Sequence, residues 1–452
     1  MNIIIAGCGK IGQKLAEKLS QENEHNITVL DQKYTVVQNL INQLDIMGVC
    51  GSCSDIETLL EAGIKDADTL IAVTGSDELN LITCLMAKKM GGCQTIARIR
   101  NPEYSKDVHL FKEDLGLAMI INPDDTAARE IARILRFPSV IKIDTFAKGR
   151  IEILKFKITS DSPLINVRIA DLNSKFKGDV LVCGVERGEN AYIPNGDFVI
   201  EGGDLLSIVA SPEGGVEFFR SIGVKTNSVK DTIIVGGGAT AYYLAKHLIS
   251  SGIRVKIIEQ NPARCEKLCD LLPKASIINA DGTENLVLTE EGLERAESFV
   301  ALTNIDEENV LLSLFAKTKM HGKIVTKINR IAYDDVISGL DLDTVIYPKN
   351  ITADYIVRFV RAKMNSMGSN IETMHLILDG KAEALEFYIR DNSPVANIPL
   401  ESLQLKDNTR IACINRKGKI ITPHGKDTIK PKDTVIIVTT HKGTQDISDI
   451  LL

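Results

Sequence analysis

At 452 residues the chain is longer than a single hydrophobic core ordinarily serves, so several domains are expected. Its composition, 44% hydrophobic and 25% charged with no tryptophan, excludes long disorder, because no tract is poor enough in apolar residues to stay unfolded. A formal net charge of −7 argues against a nucleic-acid or anionic-membrane surface over the whole molecule, since both require clustered Lys and Arg to displace counterions, and leaves room only for local basic patches.

The chain opens with MNIIIAGCGKIGQ: an apolar strand, then Gly7, Gly9 and Gly12 in GxGxxG spacing. Hydrophobic periodicity then predicts strand 2–6, helix 10–20, strand 26–30, helix 34–43, strand 46–49, helix 55–61, strand 69–73, helix 77–90 and strand 94–99. Strands this short and apolar, alternating strictly with amphipathic helices, predict a doubly wound parallel sheet of Rossmann type in an α/β fold. After about residue 139 the pattern changes to short alternating strands broken by turns, as in VLVCGVERGENAYIPNGDFVIEGGDLLSIVA, which predicts a small antiparallel sheet with some helix.

The pattern then repeats. IIIAGCGKIGQKLAEKL returns as IIVGGGATAYYLAKHL, placing Gly236, Gly238 and Ala241 opposite Gly7, Gly9 and Gly12. The same offset places Thr303 opposite Thr74, Asp306 opposite Asp77, Asn309 opposite Asn80, Lys327 opposite Arg98 and Tyr333 opposite Tyr104. Likewise SPLINVRIADL returns as SPVANIPLESL. One register held through several elements means a duplicated domain. The expected organisation is therefore a Rossmann-like lobe over 1–138, a small lobe over 139–224, and their repeats over 230–364 and 368–452.

Strand, glycine loop, helix and a trailing acid together predict a nucleotide site. Gly7 permits the tight turn, Gly9 lets a pyrophosphate approach the backbone, and Gly12 keeps the helix close to the sheet. Phosphates would rest on the first helical turn, at Lys10 and Ile11 in one copy and Ala239 and Thr240 in the other, where free N–H groups favour anions. Asp31 and Glu259 end the second strand, as a carboxylate that accepts from a ribose diol would; a carboxylate there repels a 2′-phosphate, so NAD(H) or ATP/ADP is expected rather than NADP. The loop after strand three contributes Ser52 and Cys53, matched by Asp281 and Gly282, beside the adenine. Thr74 and Thr303 stand at the carboxyl edge of the sheet, either as ligand contacts or as helix caps in competition with Ser76 and Asp77. Arg98 and Arg100 either reach phosphate oxygens or form a surface cluster, and their counterparts are Lys327 and Asn329.

Machinery for chemistry is not legible. The seven histidines are scattered and do not match between the copies. A P-loop lysine, HExxH and GxSxG are all missing, so no enzyme is expected, and an NAD-dependent oxidoreductase with tandem cofactor domains is the alternative. No apolar run approaches the roughly 18–20 residues that cross a bilayer, and the start lacks the features of a signal peptide, so a cytoplasmic protein is expected. Nine cysteines then read as reduced thiols. Cys50 and Cys53 form a CxxC, but no second such pair completes four ligands, and no metal is expected.

The order of lobes, with MNIIIAGCGKIG at the start, GSCSD after strand three, VTGSDELN after strand four and RIRNPEY after strand five, resembles the RCK (KTN) domain family over essentially the whole chain. The resemblance implies a regulatory subunit peripheral to the inner face of the membrane. Such a subunit binds NAD(H) or ATP/ADP, assembles as a homo-oligomeric ring and gates potassium flux through a TrkH/TrkG-like membrane subunit. It also implies that Gly7, Gly9, Gly12, Asp31, Thr74, Arg98 and Arg100 form the first site, and Gly236, Gly238, Glu259, Thr303 and Lys327 the second. Two segments, DDTAAREIARILRF and NITADYIVRFVRAKM, follow the Rossmann lobes with helical apolar spacing; each is either a crossover helix or a helix on its own sheet.

Overall fold

Runs such as NIIIA and TLIA have no polar face to turn to water, and each becomes a buried parallel strand. The computed structural model describes residues 1–21, 25–101, 104, 115–137, 140–147, 150–224, 229–330, 334–366, 371–441, 443–444 and 446–452. Tyr333, and the expected boundary residues 138, 139 and 368, lie outside these. The chain divides into two units, Met1–Ala132 with Lys230–Val360, and Arg133–Val229 with Arg361–Leu452.

The first unit holds two six-stranded parallel sheets. In one, the strands run in the order Met47–Cys50, Asn26–Asp31, Asn2–Ala6, Thr69–Ala72, Gln94–Arg98, Leu117–Ile121. The repeat has the same order: Ser276–Asn279, Arg254–Glu259, Asp231–Val235, Ser298–Ala301, Lys323–Lys327, Thr344–Ile346. The first strand of each sheet has the second on one side and the fourth on the other. Its carboxyl end is thus the point where strand order reverses, the place at which open α/β sheets bind ligands, and each glycine loop starts there.

The two Rossmann lobes exchange helices. Ala353, Ile356, Val357 and Val360, spaced as one helical face, are buried among Ile3, Ile5, Leu15, Leu19, Ile27 and Val29 of the first lobe. Their helix, Pro348–Ser366, follows the last strand of the second sheet, so it is a crossover helix. Burial of Ile356, Val357 and Val360 contributes up to about 1.5–3 kcal/mol for each side chain. The matching helix of the first lobe, Pro123–Arg136, reaches the second lobe in turn: Asn122 just before it donates to Tyr243 Oη at 3.0 Å, and Asp125 pairs with His247 Nε2 at 2.7 Å.

The second unit holds two five-stranded antiparallel sheets, one built on Ile151–Lys157, Leu181–Arg187 and Leu205–Ala210, the other on Ala382–Tyr388, Thr409–Arg416 and Thr434–Thr439. They share a core in which Phe146, Ile153, Cys183 and Val209 meet Ala384, Cys413, Ile436 and Val438. A staple repeats in both small lobes. Arg187 grips buried Asp204 through two bonds of 2.8 Å, and Arg416 grips buried Asp433 at 3.0 and 2.8 Å. Such bidentate bonds are directional as well as strong, and fix the hairpins that carry them. No helix among the described residues is long and apolar enough to cross a membrane.

Candidate functional site

Backbone geometry at the first loop follows from its glycines. Gly7 has φ +99°, and a Cβ there would lie 2.8 Å from the Thr74 nitrogen; at Gly12 a Cβ would lie 1.9 Å from the Gly7 carbonyl oxygen. A Cβ on Gly9, in contrast, would meet nothing within 4 Å, so this is the open side of the loop. The helix Lys10–Ser20 starts at Gly9 without a side-chain cap and without an acid in its first turn. Its first N–H groups are therefore available to an anion. The second loop repeats the arrangement, with Gly236 at φ +95°, an open Gly238, and Ala239–Ser250 likewise uncapped by a side chain at Gly238. Ala241 is fully buried.

The two acids have a task that the spacing did not reveal. Asp31 Oδ2 accepts from the Cys8 N–H at 2.7 Å and its Oδ1 from the Lys33 N–H at 2.9 Å. Glu259 accepts from the Gly237 N–H at 2.7 Å and from the Asn261 N–H at 2.8 Å. Each carboxylate ties its glycine loop to the end of the second strand. Each oxygen keeps a lone pair for a ribose hydroxyl, so holding the loop and receiving a diol are compatible.

The fourth-strand loops are organised by residues whose part was not foreseen. Buried Asn80 accepts from the Thr74 N–H at 2.9 Å and donates to the Arg98 carbonyl at 2.8 Å; Asn309 does the same between Thr303 and Lys327 at 2.8 and 2.9 Å. Asp77 and Asp306 receive the N–H groups of Arg100 and Asn101, and of Asn329 and Arg330. Their shared offset was the only trace of these roles in the sequence. Ser76 is the cap of Asp77–Met90, accepting from the Leu79 N–H at 3.1 Å, whereas Thr74 Oγ1 donates to Asn80 Oδ1 at 2.7 Å. At the matching cap position stands Ile305, with no side-chain cap, and Thr303 Oγ1 donates to the Ile305 carbonyl.

The cations are more committed than a phosphate-gripping role would have them. Arg98 Nη1 donates to the Thr74 carbonyl at 2.7 Å; burial, and then Arg100, lower its pKa, and its buried Nε has no partner among the described residues. Arg100 Nε pairs with Asp124 at 2.9 Å. Lys327 is buried and donates to the Leu302 carbonyl at 3.1 Å; burial pushes its ammonium pKa down while Asp124 and Asp306 draw it up. In the third-strand loops, Ser52 Oγ lies 2.9 Å from Ser54 Oγ, and Asp281 is exposed and turned back onto Thr283. Gly282 is buried against Val235. The Cys53 side chain belongs to the core, and burial pushes its thiol pKa up. Cys50 is exposed, no disulfide joins any of the cysteines, and no group of three or more metal-ligating side chains occurs among the described residues.

Two histidines find carboxylates across the repeat, and a third, His424, faces Asp427 three residues along the chain. His247 meets Asp125 at 2.7 Å, and buried His375 meets Asp144 at 3.0 Å. His109 lies outside the described residues. At the start of each glycine helix a side chain from the other lobe's crossover helix approaches. Asp124 Oδ1 accepts from Thr240 Oγ1 at 2.8 Å at the second loop, and Lys349 faces Lys10 at the first. Asp354 of the same crossover helix pairs with Lys18.

Two domain families match this chain. The TrkA-N domain matches residues 3–123 and 232–348, and the TrkA-C domain matches 153–223 and 384–452. The chain belongs to the TrkA family. A TrkA relative from Halomonas elongata, a Trk system potassium uptake protein, is 31% identical over 98% of this chain and 96% of its own length. Among solved structures, the GsuK channel bound to NAD has a TM-score of 0.63 at 18% identity, covering 98% of this TrkA-family chain and 77% of that one. GsuK bound to ADP has a TM-score of 0.51 at 16% identity, covering 80% and 69%. These likenesses establish that the TrkA-family chain shares the RCK fold.

Proposed function

We propose that this chain is a cytoplasmic regulatory subunit, peripheral to the membrane, of a Trk-type potassium uptake system. It binds NAD(H) or ATP/ADP without turning it over and gates potassium flux through a TrkH/TrkG-like membrane subunit. The observation that carries the reading is the helix exchange: each glycine loop opens a helix met by the crossover helix of the other lobe. A ligand bound at either loop therefore acts on a contact between lobes. A ligand shifts an equilibrium only by its differential affinity for the two arrangements, and a lobe contact beside the ligand supplies that difference. A coupling of about 1–3 kcal/mol would be usual.

The loop fits a nucleotide: the open face at Gly9, the uncapped helix start and a carboxylate with spare lone pairs suit a phosphate and a ribose diol. Gly7, Gly9, Lys10, Ile11, Gly12, Asp31, Ser52, Cys53 and Thr74 line the first site, Cys53 through its backbone. Support also comes from relatives named as Trk potassium uptake proteins and from RCK-fold structures described as bound to NAD and ADP. The assembled form is a homo-oligomeric ring of these lobes.

The test is potassium flux into vesicles containing a TrkH-like subunit and this chain, with NAD+, NADH, ATP and ADP added in turn. Flux should change severalfold with at least one nucleotide, and Asp31→Ala should abolish that response. Flux indifferent to all four would remove the gating reading, and steady conversion of a nucleotide by the chain alone would replace it with an enzymatic one.

A further inference from the structure

The two glycine loops are alike in backbone and opposite in what faces them. Each crossover helix opens with a proline, and the residue after it is aimed at the other lobe's glycine helix. In Pro123–Arg136 that residue is Asp124; in Pro348–Ser366 it is Lys349. Asp124 Oδ1 accepts from Thr240 Oγ1 at 2.8 Å, in the first turn of the second glycine helix, and its Oδ2 is held by Arg100 Nε at 2.9 Å. Lys327 feels the same carboxylate. Thus a negative group, braced by cations of both lobes, stands at the uncapped helix start where a phosphate would otherwise be welcome.

At the first loop the sign is reversed. Lys349 is set against Lys10, the first residue of the first glycine helix, with Asp306 and Arg330 also in its field. Burial, and then Lys10, push the Lys349 ammonium pKa down to about 8. A cation in the first turn of its own helix is also opposed by the helix dipole. Burial, Lys10 and the helix dipole therefore all disfavour the Lys349 charge, Asp306 offsets part of this, and a further neighbouring anion would offset more. An acid such as Asp124 is ordinary at a helix start, and its own helix accounts for that much. Its bond to the other lobe's Thr240, and the substitution of a lysine at the equivalent position, are not accounted for in this way.

We infer that Asp124 is a built-in anion for the second glycine loop, so that the second site excludes a nucleotide's terminal phosphate, whereas the first site, faced by Lys10 and Lys349, selects one. The ligand classes follow: a nucleoside triphosphate or diphosphate at the first loop, and a ligand without a terminal phosphate at the second. This rests on reading the loops as nucleotide sites.

Calorimetric titration of the full chain with ATP, and separately with adenosine, tests it. In an Asp31→Ala background, which silences the first loop, ATP binding should be weak, and adding Asp124→Asn should strengthen it about tenfold with adenosine affinity unchanged. With Asp31 intact, Lys349→Asp should weaken ATP at the first loop about tenfold and again leave adenosine alone. Either shift restricted to ATP supports the inference, and its loss at high salt would mark it as electrostatic. If both substitutions leave ATP and adenosine affinities unchanged, or alter the two alike, the inference is overturned and the nucleotide-sensing reading stands. If the unaltered chain binds no nucleotide, both are overturned.

Discussion

The first and second Rossmann lobes have the same strand order and nearly the same loop conformation, with Gly9 at φ −68°, ψ −172° and Gly238 at −65°, −172°. Among the matched places where their side chains differ are Gly12 against Ala241, Ser76 against Ile305, Arg98 against Lys327, and the crossover residues Asp124 and Lys349. The backbone needed for a glycine loop is thus retained in both copies, while the groups that set charge and stability around it differ. A duplicated fold can keep its ligand geometry in two places and still answer differently at each.

Breaking the helix exchange should have the largest effect. Ile356→Ala leaves a cavity in the first lobe's core and should cost about 2–5 kcal/mol in chemical denaturation, although Ile356 belongs by sequence to the second lobe. The small lobes are joined by a polar counterpart. Burial alone would raise the Asp144 pKa, but Lys142 and His375 together hold it well below the usual carboxylate range. A depressed carboxylate contributes stability that is fully present above its unfolded value of 3.8 and is lost as pH falls through its folded value. Asp144→Asn should therefore destabilise the chain by about 3 kcal/mol at neutral pH, with the deficit narrowing below about pH 4 in acid-unfolding curves.

Smaller effects separate the two loops. Gly12→Ala should cost about 1–3 kcal/mol, because its methyl would press on the Gly7 carbonyl, and should weaken nucleotide binding at the first loop. Ala241→Gly in the second copy should cost no more than about 1 kcal/mol, the helix-propensity difference. At the fourth-strand helices, Ser76→Ala should lower thermal stability by about 1 kcal/mol through loss of a cap, and Ile305→Ser should raise it by a similar or smaller amount. Equal responses in the two copies would show that the lobes are energetically equivalent despite their differences.

Strand and helix positions in the first lobe were legible to within a residue or so: strand 2–6 and helices 10–20, 34–43 and 77–90 appear at those bounds. Their apolar spacing is local and needs no partner to be read. The last strand, Leu117–Ile121, was not read, because five residues of LAMII lack the alternation and turn signals that separate strand from helix. The acids Asp31 and Glu259 were found by spacing, but their hold on the glycine loop was not, since a backbone N–H carries no mark in the sequence. Arg98 looked like a phosphate ligand for its charge; its bond to the Thr74 carbonyl depends on how two neighbouring strands end.

By itself the sequence determined the repeat, the glycine loops and the parallel sheets, because each follows from short-range periodicity or from residues at fixed spacing along one chain. Only the tertiary structure decided which sheet each crossover helix covers. An apolar stripe at 353, 356, 357 and 360 demands burial without naming the surface that provides it, and the two sheets offer similar apolar faces. That choice in turn placed Asp124 beside Thr240 and Lys349 beside Lys10, pairs separated by more than a hundred residues. Part of the charge at each glycine loop consequently comes from the other lobe.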